Sequence, residues 1–309
     1  MSTTEQIAPL ANQLFAWRAQ EYIAISFYSL YVHYIATTLE EETRAIYPQR
    51  WGRGKLLYIT VRYGIVGYIA LSLTINYPNH YDLSPVSCKG LHVAYHALFS
   101  VVFLACNFAL GLCICALLQA RTLYFSLVMI PSVSLPLISA IFVVVPSIQY
   151  PPIPRAPLDE VLGYPCRYIP SHQWSSFTIA GVGENARNYV NLGIGIFLPA
   201  TAAITFVVKY GSHSNRIIKI LGRDGGLYSV ALLGLNLCNA IIKTPGFLSS
   251  TDLDNSPAYV LIGVSTDILM PICIQRLMLS VRTIDHRGSE TLASTLLFTP
   301  ISHESNLPE

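Results

Sequence analysis

Charge is scarce in this sequence. Asp, Glu, Lys and Arg make up 12% of the 309 residues, about half the share of an ordinary soluble domain, so there is too little polar surface to meet water on every side. The formal net charge is +2, which argues against a nucleic-acid partner held by a broad basic face. Chemical motifs are missing as well. The chain has no Gly-rich phosphate loop with its lysine, no GxSxG turn and no HExxH helix, so it is not expected to be an enzyme or to carry a cofactor. No CxxC pair occurs among its seven cysteines, which removes the usual zinc and thioredoxin-type arrangements. The opening MSTTEQIAPLANQLFAWRAQ lacks the basic start and immediate apolar core of a cleaved signal peptide, and the first apolar segment is expected to stay as an anchor.

Apolar residues are abundant: 52% of the chain, with a mean hydropathy of +0.47. Seven apolar segments approach the roughly 20 residues that cross a bilayer as a helix. They run from Tyr22 to Leu39, Leu56 to Asn76, Val93 to Leu118, Leu123 to Val145, Tyr189 to Val208, Gly226 to Lys243 and Pro257 to Leu279. The first and sixth are short and carry His33 or Asn236, Asn239 and Lys243. The expected fold is an all-α membrane protein, one bundle of seven transmembrane helices over residues 22–285. Residues 1–21 form an outer N-terminal segment, and residues 286–309 a disordered cytoplasmic tail. Arg44, Arg50, Arg53, Lys55, Arg121, Lys209, Arg216, Lys219, Arg223, Arg282 and Arg287 fall in alternate loops and the tail, whereas the opposite loops hold only Arg18, Lys89, Arg155, Arg167 and Arg187. Basic residues near span ends stay on the cytoplasmic side, so the N-terminus is placed outside and the C-terminus inside. The partner this implies is the lipid bilayer of the plasma membrane or another secretory-pathway membrane.

Five cysteines lie inside spans, where a thiol packs as a small apolar group. Cys88 and Cys166 are left in the outer loops, and an oxidising compartment allows a disulfide between them; two unpaired thiols are the alternative. The outer connection from Pro146 to Asn188 contains seven prolines. Tied at Cys166 it can fold across the mouth of the bundle, and untied it is a mobile loop.

Ionisable groups inside spans are costly and are the first functional candidates. Asp267, four residues before Pro271 in the seventh span, is suited to an ion, a proton or a ligand's cation, or else to an interhelical hydrogen bond with Asn236, Asn239 or Asn107. His92 and His96 lie one turn apart on one helical face. They offer two ligands of a metal site, but zinc needs at least a third, and His80, Asp82 and His172 lie only in loops. No metal is therefore assigned. His33 is expected to hydrogen-bond within the bundle, and Lys243 and Arg62, near span ends, to snorkel to headgroups. Receptor hallmarks are also absent. Span seven has no lysine for a Schiff base, LQARTLY stands where an Asp-Arg-Tyr triplet would end the third helix, and DILMPICI where Asn-Pro-x-x-Tyr would stand in the seventh.

The turn LEEETRAIYPQRWGRGKLLY joins spans one and two. Glu40 and Arg44 have the favourable i,i+4 order. Arg50, Arg53 and Lys55 are suited to anionic lipid and Trp51 to the interface; Glu41 and Glu42 need no paired-carboxylate chemistry. In GRDGG, Asp224 is placed as an N-cap of span six and Arg223 beside headgroups, with coupling to a cytosolic partner as the alternative.

Two stretches carry a family resemblance. Thr38, Leu39, Glu40, Glu41, Glu42, Tyr47, Trp51, Lys55, Tyr58, Arg62 and Tyr63 follow in order the pattern of an N-terminal domain of unknown function, here about residues 22–68, found in fungal, mainly basidiomycete, seven-helix membrane proteins. KILGRDGGLYSVALLGLNLCN, from Lys219 to Asn239, is similar to the sixth-helix start of the same proteins. The resemblance implies the seven-helix architecture but no activity. Tyr34 stands where the family often has an acid, which puts that acid's role in doubt for this chain. The functional expectation is a receptor-like protein that takes a small ligand in the outer half of the bundle and signals to a cytosolic partner through its inner loops. A transporter or channel using Asp267 and a noncatalytic membrane scaffold are the alternatives.

Overall fold

A computed structural model describes residues 3–48, 52–118, 122–155, 160–166, 178–210, 234, 238 and 257–285. Among them there are six long helices and no strand: α1 (Thr3–Ala45), α2 (Arg53–Asn76), α3 (Pro85–Leu118), α4 (Thr122–Gln149), α5 (Ala180–Tyr210) and α6 (Pro257–Asp285). The expected segment from Gly226 to Lys243 lies outside the described residues apart from 234 and 238, and the tail 286–309 lies wholly outside them. The helices overrun the apolar segments. α3 starts at Pro85 rather than near Val93, and α4 and α5 extend into the Pro-rich connection, leaving residues 150–179 between them.

Helix ends follow local chemistry. Pro78 disfavours helical backbone at the residue before it, and Tyr77 is extended (φ −119°, ψ 148°) where α2 stops. α3 opens with Pro85 at its first position, where a missing N–H costs nothing. Ser84 caps it: its Oγ accepts from the Ser87 N–H at 3.2 Å. Inside α4, Pro131, Pro136 and Pro146 interrupt the backbone bonding. The Ser132 and Ser147 hydroxyls donate to the carbonyls of Val128 and Val143 of their own helix, which keeps these buried hydroxyls satisfied.

α3 is the central helix, packing on α2, α4, α5 and α6, while α6 also runs along α1. Close approach of α2 to α3 rests on glycine: a Cβ at Gly64 would overlap the Val102 side chain, and one at Gly67 would stand 2.8 Å from Leu98 Cδ2. Small residues at such crossings are how helices pack tightly in lipid.

The outside of the bundle is apolar and the inside partly polar. Leu56, Val66 and Leu73 on α2 and Leu127, Ile130, Ile141 and Ile148 on α4 are exposed, whereas Glu42, Arg62, Ser72, Asn107, Ser132, Ser139 and Gln275 are buried. Water-soluble domains show the reverse. Among the described residues four helical stretches, Arg53–Asn76, Pro85–Cys115, Tyr124–Gln149 and Pro257–Leu279, are long and apolar enough to cross a membrane. The chain is a multi-pass integral membrane protein.

Candidate functional site: a polar seam along α1

α1 turns an unusual face inward. Glu21, Ala24, Tyr28, Tyr31, Tyr34, Thr38 and Glu42 are all buried, at the three- and four-residue spacing of one helical stripe. Its opposite side exposes Tyr22, Ile25, Leu30, Val32 and Leu39. The buried stripe takes part in three polar clusters, two with α2 and α6 and one with the segment 160–166.

Arg62 of α2 organises the first. It is fully buried. Its Nη1 donates to Thr38 Oγ1 at 3.0 Å and to the Tyr58 hydroxyl at 3.1 Å, its Nη2 donates to the Ile35 carbonyl at 3.1 Å, and Nη2 stands 2.7 Å from Glu42 Oε2. Neither Glu42 oxygen accepts a well-directed hydrogen bond, and Arg62 Nε has no acceptor, so charge alone joins the two side chains. The Arg62 backbone carbonyl accepts from the Tyr31 hydroxyl at 2.9 Å, and that hydroxyl accepts from Gln275 Nε2 of α6 at 2.9 Å. Nearby, Arg276 pairs with Glu41 at 3.5 Å and lies over the Tyr34 ring at 5.2 Å. Tyr34 thus faces a cation through its π surface.

The second cluster surrounds Asp267. Tyr68 donates to Asp267 Oδ2 at 3.4 Å, a long hydrogen bond, and itself accepts from Tyr95 at 3.0 Å. The Tyr68 and Tyr95 rings stack at 4.9 Å. The Tyr28 and Ser72 hydroxyls are bonded at 2.9 Å. Pro271 has no N–H for the Asp267 carbonyl, which adds polarity at this level of α6. The third cluster closes the far end, where Glu21 pairs with Arg18 at 2.9 Å and accepts from the Tyr164 hydroxyl. The Trp17 and Tyr164 rings stack at 4.7 Å, 13° from parallel. Glu21 raises the Arg18 pKa, chiefly through this hydrogen bond.

These placements revise several expectations. Arg62 does not snorkel: its Nη1 and Nη2 groups find acceptors inside the α1–α2 hairpin, and only Nε is left without one. Lys55 is buried too, donating to the Tyr47 carbonyl at 2.9 Å, and so does not reach anionic lipid. Glu42 is a buried half of an ion pair, whereas Glu40 and Arg44 form the expected i,i+4 pair at 2.9 Å in full exposure. Asp267 bonds a tyrosine of α2; Asn107 donates instead to Phe103 of its own helix at 2.8 Å. Asn236, Asn239, Arg223, Asp224 and Trp51 lie outside the described residues. His92 and His96 stack with ring centroids 6.3 Å apart, and among the described residues no three His, Cys, Asp or Glu side chains converge as metal ligands. Cys88 and Cys166 form a disulfide.

The pattern of the first cluster coincides with a known family. Residues 22–67 carry a DUF6533 domain, from a family of unknown function. No curated protein and no solved structure matches the chain. Within residues 22–67 the side chains of Thr38, Glu42 and Tyr58 gather around the buried Arg62 and so close the α1–α2 hairpin of this chain. Gln275 and Tyr31 carry that hairpin's bonding to α6. Sequence reasoning missed both, although the i, i+3, i+6 spacing of Tyr28, Tyr31 and Tyr34 is a visible signal.

Proposed function

We propose that this protein is a receptor-like, noncatalytic seven-helix membrane protein of the fungal type that its first two helices resemble. Its N-terminus lies outside and its C-terminus inside. A small ligand enters at the Cys88 end of the bundle, and a cytosolic partner reads the Glu42 end. One observation carries the reading: α6 is bonded to the α1–α2 hairpin at two levels, through Asp267 to Tyr68 and through Gln275 to Tyr31. The levels are eight residues apart, about 12 Å along the helix. A ligand that shifts α6 at Asp267 must strain or break the Gln275 bond, so the two ends of the bundle share one equilibrium. Two further features support this arrangement. The disulfide ties the outer connection to the start of α3. From Glu21 to Glu42 the buried stripe of α1 is about 31 Å long, close to the thickness of a bilayer's hydrocarbon core, so α1 crosses the membrane with its polar face inward.

Asp267 among tyrosine hydroxyls also favours a second reading, an ion or solute path. Proteoliposomes separate the two. Flux through the native protein that Asp267→Asn abolishes would replace the receptor reading with transport. Sealed liposomes, together with nucleotide exchange on an added G protein, are the expected result.

A further inference from the structure

We propose that Tyr164 is a tethered occupant of a binding site for a free phenol, at the Cys88 end of the α1 seam. The slot is built by α1. Trp17 supplies a flat face that stacks on the Tyr164 ring, and Glu21 supplies a carboxylate that is only 9% exposed. Its two oxygens are allocated separately: Oε2 to Arg18 and Oε1 to the Tyr164 hydroxyl. The Glu21 backbone carbonyl accepts from Tyr77 at 3.2 Å. What fills the slot is a planar ring with one hydrogen-bond donor at its inner edge.

The occupant is not part of a helix of the bundle. Tyr164 lies on the segment 160–166, which is fastened beside the slot by its neighbours. The Gly163 carbonyl accepts from the Asn79 and His80 N–H groups at 3.1 and 3.0 Å, and Cys166 is bonded to Cys88. Gly163 has φ +80°, a conformation open to glycine without strain, and this turn aims Tyr164 inward. If the ring swings out, these ties hold the segment in place, leaving a stacking face and a buried carboxylate oxygen without a donor. A buried acceptor left unpaired is costly, so the emptied slot discriminates for a phenol over the same ring lacking its hydroxyl. A tethered side chain competes at high effective concentration, on the order of millimolar, and sets the free ligand's apparent affinity.

This inference rests on the receptor reading for the side from which ligand enters, and it is tested separately from flux. Isothermal titration of the full chain in detergent would use N-acetyltyrosinamide as probe and N-acetylphenylalaninamide as control. Tyr164→Ala is expected to bind the tyrosine amide about tenfold or more tightly than the native protein, because the tethered competitor is gone. The phenylalanine amide should bind about tenfold more weakly than the tyrosine amide. Tyr164→Phe keeps the ring and its packing but removes the donor, so it should show a smaller gain and serves if Tyr164→Ala does not fold. Trp17→Leu added to either variant should abolish binding. Absence of binding in both variants, or equal binding of the two amides, would overturn the proposal whatever the flux experiment gives.

Discussion

Arg62 and Glu42 set the terms at the scale of single residues. Removing two charges from water costs more than their attraction returns unless hydrogen bonds complete the pair, and Glu42 has none of good geometry. Glu42→Ala is therefore expected to destabilise strongly, by about 3–5 kcal/mol, because it leaves Arg62 buried without its counter-charge. The double variant Glu42→Leu, Arg62→Met should be closer to the native protein than Glu42→Ala is; thermal unfolding in detergent measures both, and a double variant worse than the single one contradicts the assignment. Gln275→Leu removes one neutral hydrogen bond to Tyr31 and should cost about 1 kcal/mol. The sequence marked Arg62 and Glu42 as a family pattern without showing that they meet. Hydropathy treats an arginine near a span end as snorkelling, and only the register of α1 against α2 places Thr38, Tyr58 and Glu42 around it.

At the scale of helices, α2, α3, α4 and α6 were legible because their apolar residues form unbroken runs that lipid and protein both accept. α1 was harder to read for a physical reason. Its inward stripe of Tyr28, Tyr31, Tyr34, Thr38 and Glu42 dilutes the apolar signal, although the face turned outward is apolar. Polar bonding to α2 and α6 offsets that dilution in the folded chain. The α2–α3 crossing depends on Gly64, so Gly64→Leu should force the helices apart and lower the unfolding temperature markedly, while Gly64→Ala combined with Val102→Ala should recover most of the loss. Unfolding curves that do not distinguish Gly64→Leu from the native chain would refute the close crossing.

At the scale of the whole molecule, the proposed orientation, with the N-terminus outside, is tested at accessible positions. Gly54 is buried and so a poor probe, whereas Arg53 is exposed and Val161 is 80% exposed. With Cys238 replaced by serine, a cysteine at Val161 should react with an impermeant maleimide on intact cells, and one at Arg53 only after permeabilisation; the opposite pattern inverts the topology. The Pro-rich connection was half legible: its anchoring at Cys166 could be read from compartment and count, but the turn at Gly163 and the insertion of Tyr164 depend on contacts far apart in sequence.

The Cys88–Cys166 bond joins residues 78 positions apart, and α3 and α4 lie between them. These two helices belong to a covalent ring. A protease that cuts after Arg155 therefore opens the ring without dividing the molecule: on a gel run without reductant the nicked chain should keep the mass of one polypeptide, and with reductant it should fall into two. A protein cleaved in this connection keeps both fragments in one particle.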